Sequence, residues 1–286
     1  MVIAMFTLLN PGDEVLIPDP YYPSYPSQVF LTGATPVFIL TFEKDDFKIK
    51  SENIEKKITK KTKLLIINSP NNPTGAVLGE EDLKEISKIA IKNDLIVISD
   101  EAYETMVYGD KKHFCIANFP GMRERTITIN SFSKRYAMTG WRVGYAVAIK
   151  EIITNMMKIS GYNLSCPCSV SQQAAIAALD SSPGIIEKMK FEYKRRRNFI
   201  VAELNKIEGI SCTKPEGAFY VFANIKKTGK SSEQIYDELL TKGRVVVIPG
   251  SAFGKQGEGY IRIAYTLPID KLKEALERMK RVIEKE

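Results

Sequence analysis

Leu95-Ile96-Val97-Ile98-Ser99-Asp100-Glu101-Ala102-Tyr103 is the stretch on which the fold turns. Four apolar residues in a row, three of them β-branched, run into a serine and an acid. A strand that is apolar at successive positions rather than alternate ones is buried on both faces, as in a parallel sheet covered by helices. Asp100 then stands at the carboxyl end of the strand, where open α/β sheets bind ligands. Short β-rich runs of the same kind occur at 14–17, 36–40, 64–67, 126–130 and 143–147, with helical patterns at 79–92, 151–160 and 169–179. This alternation predicts an α/β fold with a mostly parallel central sheet and helices on both faces. The run at 143–147 follows its predecessor too closely for a helical crossover, so it is expected to lie antiparallel.

Ser181-Ser182-Pro183-Gly184 breaks the pattern. Beyond it come a long charged helix to about residue 207, short strands at 217–222, 245–248 and 260–264, and helices at 232–240 and 269–283. These predict a smaller α+β domain at 184–286 after a large domain at 1–183. The 286 residues are ample for two cores.

Composition removes several function classes. The net charge is +7, but the basic residues are dispersed or interleaved with acids, so no nucleic-acid face is expected. No apolar run reaches the roughly 18 residues that a membrane span needs. The apolar start, Met1 to Leu9, has neither a basic leader nor a small-residue cleavage site, so it is not read as a signal peptide. The four cysteines, at 115, 166, 168 and 212, form no Cys-x-x-Cys pair, and small buried thiols in a reducing cytoplasm are expected, with no metal site. His113, the single histidine, lies in a polar turn where an exposed, inert role is expected. Acid–base work therefore falls to another group, and a lysine amine is the candidate.

Ser131-Phe132-Ser133-Lys134, with Arg142 shortly beyond, supplies one. A lysine amine can form a Schiff base with a carbonyl, while hydroxyls and a planar guanidinium suit a phosphate dianion. Each motif alone has an ordinary explanation as a turn, a cap or a solvated charge. Together and in order, Asn72-Pro73-Thr74-Gly75, Asp100-x-x-Tyr103, Ser131-x-Ser133-Lys134, Arg142 and Arg262 make a specific constellation. With them the chain resembles, over essentially its whole length, the fold-type I pyridoxal-phosphate enzymes, and among these the class I/II aminotransferases of the aspartate and aromatic kind.

The resemblance implies roles. Lys134 would hold pyridoxal 5'-phosphate covalently and then shuttle a proton. Asp100 would pair with the pyridinium nitrogen, and Tyr103 and Asn72 would donate to the cofactor's phenolic oxygen. Ser131, Ser133 and Arg142 would surround the phosphate. Tyr22 would stack on the ring, with Tyr21 as the alternative register. Asn72 and Arg262 would bind the substrate carboxylate. Pro215-x-Gly217-Ala218-Phe219-Tyr220 and the stretch 247–254 would frame the cleft without reacting. The implied activity is a cytoplasmic, ping-pong transfer of an amino group from an L-amino acid, aspartate or aromatic, to a 2-oxo acid such as 2-oxoglutarate. The implied assembly is a homodimer to which Tyr162 and Asn163 would contribute across the interface. A β-lyase on the same scaffold and a non-catalytic ligand-sensing module are the alternative readings. Compared with the family pattern, Met1 to Leu9 reads as the back half of a helix, so a further amino-terminal segment is expected.

Overall fold

The structure, a computed structural model, describes residues 1–284. Six strands, β1 (Glu14–Asp19), β2 (Thr35–Leu40), β3 (Thr62–Asn68), β4 (Ile96–Asp100), β5 (Thr126–Ser131) and β6 (Gly144–Val147), form one sheet in the order β2-β1-β3-β4-β5-β6. The first five are parallel, and β6 runs antiparallel to β5, pairing Ser131 with Gly144. The fold-class expectation is met.

Successive residues of a strand face opposite sides, and the continuous apolar runs divide accordingly. Leu16, Leu65, Ile67 and Val97 pack with Leu83, Ile86 and Ile89 of the helix Glu80–Lys92. Val15, Ile17, Leu64, Ile66 and Ile98 pack on the other face with Ala4 and Met5 of the helix Val2–Leu8 and with Tyr25 and Val29 of the helix Ser24–Phe30. The helix Glu80–Lys92 also shows why its ends lie where they do. Three acids occupy its first turn, Lys92 its last, and the Asp82 carboxylate accepts the Gly79 N–H at 2.8 Å. Both charge placements complement the helix dipole.

A second, antiparallel sheet consists of β7 (Tyr220–Asn224), β8 (Ile248–Pro249) and β9 (Tyr260–Ala264) in the order β7-β9-β8. Ile261 and Ile263 enter its main core with Val221, Ala223 and the helices Pro183–Leu204 and Ile269–Ile283. The intervening Arg262 therefore points the other way, alongside Phe222 and Tyr260. Two expected strands differ from observation. The run at 217–222 joins the small sheet only at Tyr220, because Gly217 instead forms an antiparallel bridge with Val107. The run at 245–248 is paired only at Ile248–Pro249, since Val245 closes the preceding helical turn by donating its N–H to Leu239 O.

The two sheets meet through a tight backbone contact. Gly75 takes φ +73°, and its carbonyl accepts the N–H groups of Glu216 and Gly217 at 3.1 and 2.8 Å. A Cβ on Gly75 would lie 2.4 Å from Pro215 Cβ. Gly75→Ala combines left-handed backbone strain with overpacking, so we expect a loss of about 2 kcal/mol or more in urea unfolding. A loss below about 0.5 kcal/mol would show that this contact yields without cost.

Candidate active site

Strand order reverses between β1 and β3, because β2 lies outside β1 while β4, β5 and β6 extend from β3. Open α/β sheets bind ligands at such switch points, beyond the carboxyl ends of the strands. A cavity of about 340 Å³ lies there, lined by Tyr22, Tyr25, Asn68, Asn72, Asp100, Ala102, Tyr103, Lys134, Tyr220 and Arg262. Six residues singled out from the sequence, Tyr22, Asn72, Asp100, Tyr103, Lys134 and Arg262, thus meet at one surface.

Asp100 ends β4, directly across from Asn68 at the end of β3. Its carboxylate accepts the Tyr25 hydroxyl at 2.6 Å and the Ala102 N–H at 3.2 Å. It has no cationic side-chain partner among the described residues, and burial pushes its pKa up. A desolvated acid of this kind has room for a cation. Lys134 follows β5 in the short helix Phe132–Arg135. Its amine has no hydrogen-bond or ion-pair partner among the described residues and lies 5.3 Å from the Phe219 ring centre and 5.9 Å from that of Tyr103. Burial, then the Arg142 and Arg262 charges, lower its pKa, which raises the fraction of neutral, nucleophilic amine.

Arg262 reaches across from β9. Its Nη1 donates to Asn72 Oδ1 at 2.8 Å, and its guanidinium carbon lies 4.4 and 4.7 Å from the ring centres of Tyr220 and Phe253. Its Nε is buried with no partner. Asn72 is held from behind, where its N–H donates to Asn68 Oδ1 at 2.9 Å. A stacked guanidinium with a free buried donor suits a planar carboxylate.

The remaining expected residues lie elsewhere. Ser131 caps the helix Phe132–Arg135 by accepting the Ser133 N–H at 3.1 Å, and Ser133 is buried. Arg142 is exposed in a left-handed turn and donates to Thr139 O at 2.9 Å. None of these three lines the cavity, although the Arg142 charge is felt at Lys134. Tyr22 lines the cavity, whereas Tyr21 stacks on Phe38 at 5.0 Å. Tyr162 and Asn163 are exposed at the end of the helix Lys150–Asn163.

Two expectations from the sequence are corrected. His113 is not an exposed turn residue: its Nε2 lies 2.9 Å from Glu101 Oε2, and that carboxylate is buried. Cys166 and Cys168 are exposed, while Cys212 is buried and Cys115 partly so. Sequence reading also passed over Tyr25, whose proline-rich surroundings resemble a turn, and saw Tyr220 only as part of the cleft frame.

The chain matches the family model for aminotransferase class I and II over residues 1–279. It is a member of that family. It is 48% identical over 284 residues to an aspartate aminotransferase of Pyrococcus abyssi, covering 99% of this chain and 73% of that one. It is 46% identical over 285 residues to an aromatic-amino-acid aminotransferase of Thermococcus litoralis, with the same coverage. Among solved structures, an aromatic aminotransferase from Pyrococcus horikoshii is similar at a TM-score of 0.97 and 47% identity, covering 99% of this chain and 76% of that one. The aminotransferase fold is thus common to this chain and these relatives.

In this family member the loop carrying Phe253 is clamped to the large sheet. Asp19, at the end of β1, is 2% exposed and accepts the N–H groups of Lys255 and Gln256, each at 3.1 Å. Gly254, at φ +111°, passes so close that a Cβ would lie 2.3 Å from Asp19 Oδ1. Burial raises the Asp19 pKa from 3.8 to about 6. For an acid whose folded pKa is raised, the stability contribution is complete below the unfolded pKa and is lost as pH rises through the folded one. The stability of the unaltered chain minus that of Asp19→Asn should therefore fall between pH 4 and pH 7 in urea titrations. A difference that stays constant or grows would refute the assignment.

Proposed function

We propose that the cavity binds pyridoxal 5'-phosphate and that the chain uses it to move amino groups between an L-amino acid, aspartate or aromatic, and a 2-oxo acid such as 2-oxoglutarate in a ping-pong cycle. The observation that carries this reading is the pairing of opposites within one cavity. Among the described residues Lys134 is an amine with no anionic partner and Asp100 an acid with no cationic side-chain partner, although it feels the Met1 α-amine, and the two do not bond to each other. A ligand with an aldehyde at one end and a basic ring nitrogen at the other would complete both. When bound, such a cofactor supplies an electron-poor ring that takes up the electron pair released at the substrate's α-carbon.

The protein's own groups would then divide the work. Lys134 would hold the cofactor and, when its amine is free, would move a proton at the substrate's α-carbon as general base. Asp100, oriented by Tyr25, keeps the ring nitrogen protonated. Tyr103 and Asn72 donate to the phenolic oxygen, Tyr22 covers the ring at the cavity mouth, and Arg262 grips the substrate carboxylate with Asn72 beside it. Ser131, Ser133 and Arg142, which stand outside the cavity lining, would hold the phosphate.

The same reading covers organisation. Residues 1–183 and 184–286 act as a large and a small domain, with the substrate enclosed between Asn72 on one and Arg262 on the other. Met157, Tyr162, Leu164, Val170, Ile176 and Phe191 are each large apolar side chains left exposed, which supports a homodimer. No described helix is long and apolar enough to cross a membrane, in keeping with a cytoplasmic enzyme.

Lys134→Ala tests the reading. We expect transamination to fall by at least about 10³-fold, together with loss of the visible absorbance that pyridoxal phosphate gains when joined to the unaltered chain. Full turnover by this variant would exclude the mechanism.

A further inference from the structure

Tyr220 touches the two halves of the proposed site at once. Its hydroxyl lies 3.0 Å from that of Tyr103, and both side chains are buried. Neither hydroxyl has another partner among the described residues. Two hydroxyls carry two protons, and one bond between them uses one. The accepting hydroxyl therefore has a proton to place elsewhere. Both residues line the cavity, but only Tyr103 is adjacent to the strand that carries Asp100, and its ring is within 5.9 Å of the Lys134 amine. The face of the Tyr220 ring, meanwhile, lies 4.4 Å from the Arg262 guanidinium carbon.

We propose that Tyr220 is a positioning residue with two functions: its hydroxyl donates to Tyr103, which frees the Tyr103 proton for the cofactor's phenolic oxygen, and its ring sets the plane of Arg262 for the substrate carboxylate. The proposal rests on the cofactor reading above. Burial holds the Tyr103 phenol well above its usual pKa, so Tyr103 remains a proton donor throughout the working range. Consecutive hydrogen bonds polarise one another, so donation from Tyr220 makes Tyr103 the stronger donor to whatever it meets in the cavity. The phenolic oxygen bears most negative charge when the lysine-bound chromophore has lost its proton. A stronger Tyr103 donor favours that form and lowers the pH midpoint of the visible band.

Two substitutions separate the functions. Tyr220→Phe removes the hydroxyl and keeps the ring, whereas Tyr220→Leu removes both. In Tyr220→Phe the spectral midpoint should rise by roughly half a pH unit, while succinate binding by calorimetry stays within about twofold of the unaltered chain. In Tyr220→Leu succinate binding should weaken by about fivefold as the cation–ring contact is lost. Far-UV circular dichroism matching the unaltered chain establishes that each variant is folded. A midpoint in Tyr220→Phe that stays put, or falls because Tyr103 had been donating to Tyr220, overturns the first function. Equal succinate affinity in the two variants overturns the second. Absence of any visible band from the unaltered chain would instead refute the cofactor reading, and the succinate comparison would still decide the Arg262 function.

Discussion

The hydrogen bond from Arg262 Nη1 to Asn72 Oδ1 is the contact on which the rest of the site depends. It joins the middle strand of the small sheet to the turn that follows β3 of the large one. Each partner is held from behind. Asn72 is anchored by Asn68, and its turn is docked through Gly75 onto Glu216 and Gly217. Arg262 lies against Tyr220 and Phe253, and Phe253 belongs to the loop that Asp19 clamps. A long, flexible guanidinium side chain loses much conformational freedom when it is fixed. Packing from two rings and a backbone-anchored amide offsets that loss before any ligand arrives.

The same cavity contains groups that are costly to bury. Asp100 is a desolvated carboxylate bonded to a hydroxyl and an N–H donor and to no cationic side chain among the described residues, and Lys134 is an amine facing aromatic rings and two arginine charges. An unpartnered charge is among the most destabilising features a protein interior can hold. Structures usually resolve such a pair by letting the two charges meet. Here strand pairing prevents that, because Asp100 ends β4 while Lys134 sits a turn beyond β5. Sites that break rules of stability in this way are where function is expected. The low effective polarity that makes the charges costly also strengthens their grip on a ligand of matching pattern.

Much of this was legible in the sequence because it is encoded locally. Continuous apolar runs at β3 and β4 reveal strands buried on both faces, since alternate residues must enter opposite cores. The short spacing before β6 excluded a parallel crossover. Asp100 ends a strand and Lys134 and Asn72 follow one, so a parallel sheet brings them to one edge, and Arg262 stood out as a charge within an apolar strand. What escaped notice depends on segments distant in sequence. Tyr25 reaches Asp100 across 75 residues, and Tyr103 meets Tyr220 across 117. His113 pairs with a buried Glu101 that the polar turn around it does not reveal.

The sequence by itself determined the parallel sheet, the edge at which chemistry collects and the kinds of group found there, because side-chain period and strand-end residues are properties of short segments. Only the tertiary structure decided which tyrosine orients Asp100, which aromatic rings pack on Arg262, and that Ser131, Ser133 and Arg142 stand outside the cavity that Lys134 and Asp100 line. Those choices are set by how the two sheets dock through Gly75 and Gly217, and docking depends on the packing of surfaces that no local pattern encodes.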